Sequence, residues 1–148
     1  MRPIRCGMGG GDCTEEALAL FTRFAERHGL YYEVEHGAPV EVVWNFPAQN
    51  GVALPFVLAL QNGDELNFGV SDFWSSFFPF EKAADQFENA LDAWIVGEAR
   101  IAVTGPWGRV LQVWDNGRWR SVYGANRVLP VWRAPRRTIE NRPLQRPA

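Results

Sequence analysis

Phe80-Glu81-Lys82-Ala83-Ala84-Asp85-Gln86-Phe87-Glu88-Asn89-Ala90-Leu91-Asp92-Ala93-Trp94 is the stretch that decides the fold. Phe80, Ala83, Ala84, Phe87, Ala90, Leu91 and Trp94 recur every three or four residues, which places them on one face of a helix. Pro79 suits the first turn of that helix, and Gly97 supplies a stop. Burying Phe80, Phe87, Leu91 and Trp94 contributes on the order of 6–12 kcal/mol gross, before the entropy of ordering them. Such a stripe needs a pleated layer to lie across, and the segments on both sides of it read as strands.

Upstream, Ala17, Leu18, Phe21, Phe24, Ala25 and His28 have helical spacing. Asp12 or Thr14 can cap this first helix, Glu15 and Glu16 suit its N-terminal dipole, and Gly29 ends it. Residues 31–36 alternate like a strand. In residues 40–46, Val40, Val42, Trp44 and Phe46 share one face, while Glu41, Val43 and Asn45 share the other. A strand over residues 56–61 follows, then the hairpin signal Asn62-Gly63 and a strand over 64–70. Residues 71–80 interrupt the pattern as an aromatic linker. Downstream come strands over 100–104, 109–115 and 118–123, the last two joined at Asn116-Gly117, and a short edge strand over 127–132.

The order is helix, strands, helix, strands. It predicts an α+β fold with a mainly antiparallel sheet of about five to seven strands and both amphipathic helices on one face. The organisation is a flexible Gly-rich leader (residues 1–13), one α+β domain (residues 14–134) and an exposed Arg/Pro-rich tail (residues 135–148). In topology alone, this order loosely resembles that of bacterial secretion-chaperone-like domains.

Charge is divided along the chain. Residues 14–98 hold 14 acids against 3 bases, whereas residues 99–148 hold 10 arginines against 2 acids, so the formal −2 hides two opposed halves. Such asymmetry bears on partners and assembly. If the early and late strands adjoin, Arg118 and Arg120 can face Glu33 and Glu35. No apolar run approaches the roughly 18 residues a membrane span needs, and the start lacks the apolar core of a secretory signal. The expected location is cytoplasmic, with no membrane partner. In a reducing cytoplasm Cys6 and Cys13 are expected to stay unpaired.

Catalytic signatures are not apparent. No serine sits in a nucleophile elbow, and the glycines of residues 7–11 lack the Lys-Ser/Thr of a phosphate loop. Cys6 and Cys13 are separated by six intervening residues and His28 and His36 by seven, unlike the spacing of compact zinc sites. Neither a metal nor a cofactor is therefore expected. Glu33, Glu35 and Glu41 read as a solvated acidic face rather than a catalytic pair.

What remains are surfaces. The partner- or ligand-binding candidates are Trp44, Phe73, Trp74, Phe77, Phe78 and Trp107. If Trp44, Phe46, Phe56, Leu58, Leu66 and Phe68 face the helices, then Val43, Val57, Ala59 and Gly69 face away. That smooth apolar side calls for a cover, and homodimerisation is the expected one. The basic tail residues Arg133, Arg136, Arg137 and Arg142 read as a solvated extension, and the acidic body argues against a nucleic-acid partner. The sequence thus points to a non-catalytic protein-interaction module of adaptor, chaperone-like or inhibitor type. The alternative is a small-molecule-binding protein or small enzyme with an aromatic-lined pocket.

Overall fold

A computed structural model of the chain describes residue 6, residues 12–125 and residues 135–141. The first helix, α1 (Thr14–His28), starts where Asp12 Oδ1 accepts hydrogen bonds from the Thr14 N–H (2.9 Å) and hydroxyl (2.6 Å). Those bonds, the hydroxyl's foremost, hold the Asp12 carboxyl below its ordinary range. Ala17, Leu20, Phe21, Phe24 and Ala25 point inward. Leu18, expected on that face, is exposed; it lies about 100° around the helix from Ala17, and Leu20 completes the stripe instead. The second helix, α2 (Phe80–Val96), buries all seven residues of its predicted stripe together with Ala93 and Ile95. Gly97 ends it at φ 81°, the left-handed conformation a helix stop favours.

Five strands form an antiparallel meander in spatial order: β1 (Glu33–Val34), β2 (Val42–Phe46), β3 (Phe56–Gln61), β4 (Glu65–Val70) and β5 (Phe73–Trp74). Four more, β6 (Ala99–Val103), β7 (Arg109–Asp115), β8 (Arg118–Ala125) and β9 (Arg137–Ile139), form a second antiparallel sheet in the order β8-β7-β6-β9. The architecture is α+β as expected, but the single sheet of five to seven strands is corrected to two sheets. The cause is the width of the buried stripe on α2, which packs against β4 of the first sheet and against β6 and β7 of the second. Both helices lie on one face of the first sheet: Phe21 packs on Trp44, Phe24 on Phe46 and Phe56, and Trp94 edge-on against Phe68.

Two segments read as irregular are strands. In the aromatic linker, β5 runs back along β4 and the pairing continues past it. Ser75 N–H donates to Phe68 O, and Leu66 and Phe77 exchange both backbone bonds. Phe73, Ser75 and Phe77 thereby turn inward while Trp74 and Phe78 turn outward. The first residues of the expected tail also return to the body. β9 pairs with β6, and Arg136 N–H donates to Val103 O. Asn141, 2% exposed, then accepts from Ala53 N–H (2.7 Å) and donates to Gly51 O (2.9 Å) and Ile95 O (3.1 Å). The strand expected over residues 127–132 and most of the Gly-rich leader lie outside the described residues, as do Arg133 and Arg142.

The expectation of free thiols is corrected as well: Cys6 and Cys13 form a disulfide, and both are buried. Cys13 N–H donates to Gly63 O, and Cys6 N–H to Glu81 Oε1, so the bridge is seated between the β3–β4 turn and the start of α2. Among the described residues the charge division follows the architecture, with the acidic half in the helices and first sheet and Arg100, Arg109, Arg118, Arg120 and Arg137 in the second sheet. The ion pair that joins the sheets is not between Arg118 or Arg120 and Glu33 or Glu35. Arg109 on β7 reaches Asp72, in the β4–β5 turn, through two bonds of 3.1 and 2.7 Å. Arg120 bonds Asp115 of its own hairpin. Among the described residues no helix is long and apolar enough to cross a membrane.

Candidate functional site

Strand alternation gives the first sheet one face toward the helices and one away from them. On the far face the register aligns a row that crosses all five strands: Glu33 opposite Asn45, Asn45 opposite Val57, Val57 opposite Gly69 and Gly69 opposite Trp74. With strands about 4.8 Å apart, the row is roughly 19 Å long. All five residues line one groove of about 540 Å³, with Pro47, Pro55, Ser71 and Asp72 along the side where β2 and β4 end and β3 begins.

Gly69 sets the depth of this groove. A Cβ built there would lie 2.5 Å from Trp74 Cε3 and 2.8 Å from Cζ3, so the indole rests directly on bare backbone. Any side chain at residue 69 would lift it. Trp74 is 44% exposed, one flank on Gly69 and the other open. A second row, Val43–Ala59–Asn67, runs beside the first, with Glu35 N–H bonded to Val43 O at the β1 side. Asn67 is fully buried; its amide nitrogen donates to Ser75 O and Ser76 Oγ, while its Oδ1 has no partner. Further along, Gln61 pairs with Glu65, and Glu65 Oε2 accepts from the Ser76 hydroxyl (3.1 Å). Phe78, 64% exposed, alternates outward next to inward-facing Phe77.

The apolar centre of the face is ringed by acids. Glu33, Glu35 and Glu41 are exposed and Glu65 is half-buried. Glu33 Oε1 accepts from the Tyr31 hydroxyl (3.0 Å), and Glu41 Oε1 from Gly63 N–H (3.0 Å). None of these four carboxylates forms an ion pair among the described residues. Asp72 differs, because the Arg109 hydrogen bonds hold its carboxyl below the ordinary range.

The six aromatic candidates separate. Trp44 is a core residue, stacked on Tyr32 at 3.9 Å, and Phe77 is a core residue against Phe87 and Tyr123, so the expectation that they wall a pocket is corrected. Phe73 is 2% exposed, and the groove touches it only at the floor. Trp74 and Phe78 stand on the far face. Trp107, 76% exposed, lies in the β6–β7 turn of the other sheet. Val43, Val57, Ala59 and Gly69 do share the far face, with Val43 and Val57 half-buried and the other two buried. Arg136 and Arg137 are exposed beside Arg109 in a hollow under the β6–β7 turn. His28 is bonded to Asp92 (2.8 Å), and the cysteines are paired with each other.

Asn45 and Asp72 were not singled out as site residues, and Glu33 was read only as solvated surface. The parity of residues 40–46 carried the signal for Asn45. For Asp72 no local signal exists, since its partner is 37 residues away. The chain matches no protein-family model, no curated protein and no solved structure.

Proposed function

We propose that the chain is a non-catalytic protein-interaction module whose contact surface is the far face of the five-stranded sheet. The observation that carries this reading is the in-register row Glu33–Asn45–Val57–Gly69–Trp74, which opens a groove across every strand. A solvated sheet face ordinarily carries long polar side chains at its centre. Here the centre is Val43, Val57, Ala59 and Gly69, with Trp74 and Phe78 at one flank in the pattern of an interface anchor. A second reading, a small-molecule site, draws on the groove's volume, which falls in the range of about 300–1,000 Å³ typical of ligand clefts. The protein partner is preferred because two large apolar side chains, Trp74 and Phe78, stand exposed beside the groove. The setting we favour is an oxidising compartment rather than the cytoplasm, supported by the Cys6–Cys13 pair.

Selection of displayed random peptides on the folded chain tests the reading. Binders are expected to lose at least about tenfold in affinity on Val57→Glu and on Trp74→Ala, a loss of about 1.4 kcal/mol or more. Circular dichroism checks that the variants are folded. Binders indifferent to both substitutions would place the interaction elsewhere and refute the proposal.

A further inference from the structure

We infer that the far face receives a cationic, extended polypeptide segment that alternates arginine or lysine with small apolar side chains. This rests on the reading of that face as a binding surface and adds the chemistry of what it binds. Charge complementarity carries the inference. Glu33, Glu35, Glu41 and Glu65 ring the apolar centre, and none has a cationic partner among the described residues. Asp72, the other acid at the groove, is already engaged by Arg109 through two hydrogen bonds. Three of the unpaired acids therefore lie on or beside β1 and β2, and Glu65 lies at the end of β4 opposite Asp72, away from Arg109.

The shape agrees with the charge. Between the indole of Trp74, which covers Gly69, and Glu33 the row presents only Val57 and Asn45. That floor accepts small side chains, and Trp74 at its end offers an indole flank on which the stem or head of an arginine can lie. An extended segment crossing the roughly 19 Å row needs about six residues at about 3.3 Å each. Alternate residues would then meet the apolar floor while the others reach the acidic ring. Residues 14–98, net −11, add an attractive long-range field for such a segment and a repulsive one for phosphate backbones. A second copy of this chain suits the face less well: two such faces together would bring eight carboxylates into one interface with no described base to offset them.

The probe is a nine-residue synthetic peptide of three Arg-Val-Ser repeats, blocked at both ends, compared with Gln-Val-Ser and Glu-Val-Ser peptides of equal length. Calorimetric titration into the full chain is expected to rank Arg over Gln by at least about tenfold and to find Glu weakest. Raising salt from about 0.05 to 0.5 M is expected to erase most of the difference between Arg and Gln. In the double variant Glu33→Lys/Glu35→Lys, where two positive charges offset Glu41 and Glu65, the advantage of the Arg peptide over the Glu peptide should largely vanish. Equal affinity for Arg and Gln peptides, both lost in Trp74→Ala, would overturn the inference and leave the binding surface intact. Arg-peptide binding unaffected by Trp74→Ala and by the double variant would overturn both. A dimer in sedimentation that Trp74→Ala dissolves would make a second copy the occupant and overturn the inference alone. No binding of any of the three peptides would overturn it too.

Discussion

Gly69→Ala tests the groove through its floor. The backbone there accepts alanine, since Gly69 is not among the residues with positive φ. Stiffening the unfolded chain alone would stabilise the variant by about 0.4–1 kcal/mol. The new methyl group, however, would stand 2.5 Å from Trp74 Cε3, so the ring must move by about 1 Å or more to reach ordinary contact. Trp74 is 44% exposed, so a little over half of its surface is covered. Giving up on the order of 100 Å² of that contact forfeits about 2.5 kcal/mol at about 25 cal/mol/Å². The net expectation is a destabilisation of about 1–2 kcal/mol, or a fall in Tm of about 2–8 °C for a chain of this size. Denaturant titration supplies the energy, and the Trp74 indole N–H resonance, assigned by its loss in Trp74→Phe, reports the ring. In a Trp74→Ala background the clash is gone, and Gly69→Ala should become neutral or stabilising. A Gly69→Ala variant as stable as the parent in both backgrounds, with an unmoved indole resonance, would refute the seating of Trp74 on Gly69.

Arg109 and Asp72 clamp the two sheets, and Arg109 Nη1 also donates to the Gly105 and Gly108 carbonyls, so Arg109→Ala should cost about 2–3 kcal/mol in denaturant melts, with Arg109→Lys recovering only part. Asn141→Ala removes three hydrogen bonds that tie the chain after β9 to the β2–β3 connection and to the end of α2; a loss of about 2–4 kcal/mol is expected, and parental stability would show that residues 135–141 are dispensable. Burial raises the Glu88 carboxyl, but hydrogen bonds from Arg23 and Arg27 outweigh it and leave the group below its ordinary range. That stability is complete above the ordinary carboxylate value and is lost as pH falls through the lower folded value, so acid unfolding below about pH 4 should be shallower in Glu88→Gln. Thiol titration of the unfolded, unreduced protein should find no free cysteine; two free thiols would contradict the Cys6–Cys13 bridge.

Where one segment's own pattern determines its structure, the sequence was readable. The α2 stripe, its stop at Gly97 and both Asn-Gly hairpins follow from spacing and left-handed turn geometry, with φ 54° and 79° at Asn62-Gly63 and 50° and 82° at Asn116-Gly117. The face-away parity of Val43, Val57, Ala59 and Gly69 followed from alternation alone. The rest depended on distant partners. β5 was hidden because aromatic residues fall on both of its faces, so Phe73, Trp74, Phe77 and Phe78 showed no alternation of polarity. Arg137–Ile139 has a single buried apolar residue, and only the open edge of β6 makes a strand of it. The acids and the apolar strip were each visible, yet their convergence required the cross-strand register that sets Glu33 in line with Trp74.

The central claim is that a cationic segment lies across the far face of the five-stranded sheet. Amide chemical-shift mapping of the full chain with the Arg-Val-Ser peptide tests it most directly. The predicted result is a continuous track of shifts at Glu33, Asn45, Val57, Gly69 and Trp74, with β6 to β9 unmoved. Shifts gathered instead on the exposed acids of α1 and α2, such as Glu15, Glu26 and Asp85, with the track silent, would contradict the account.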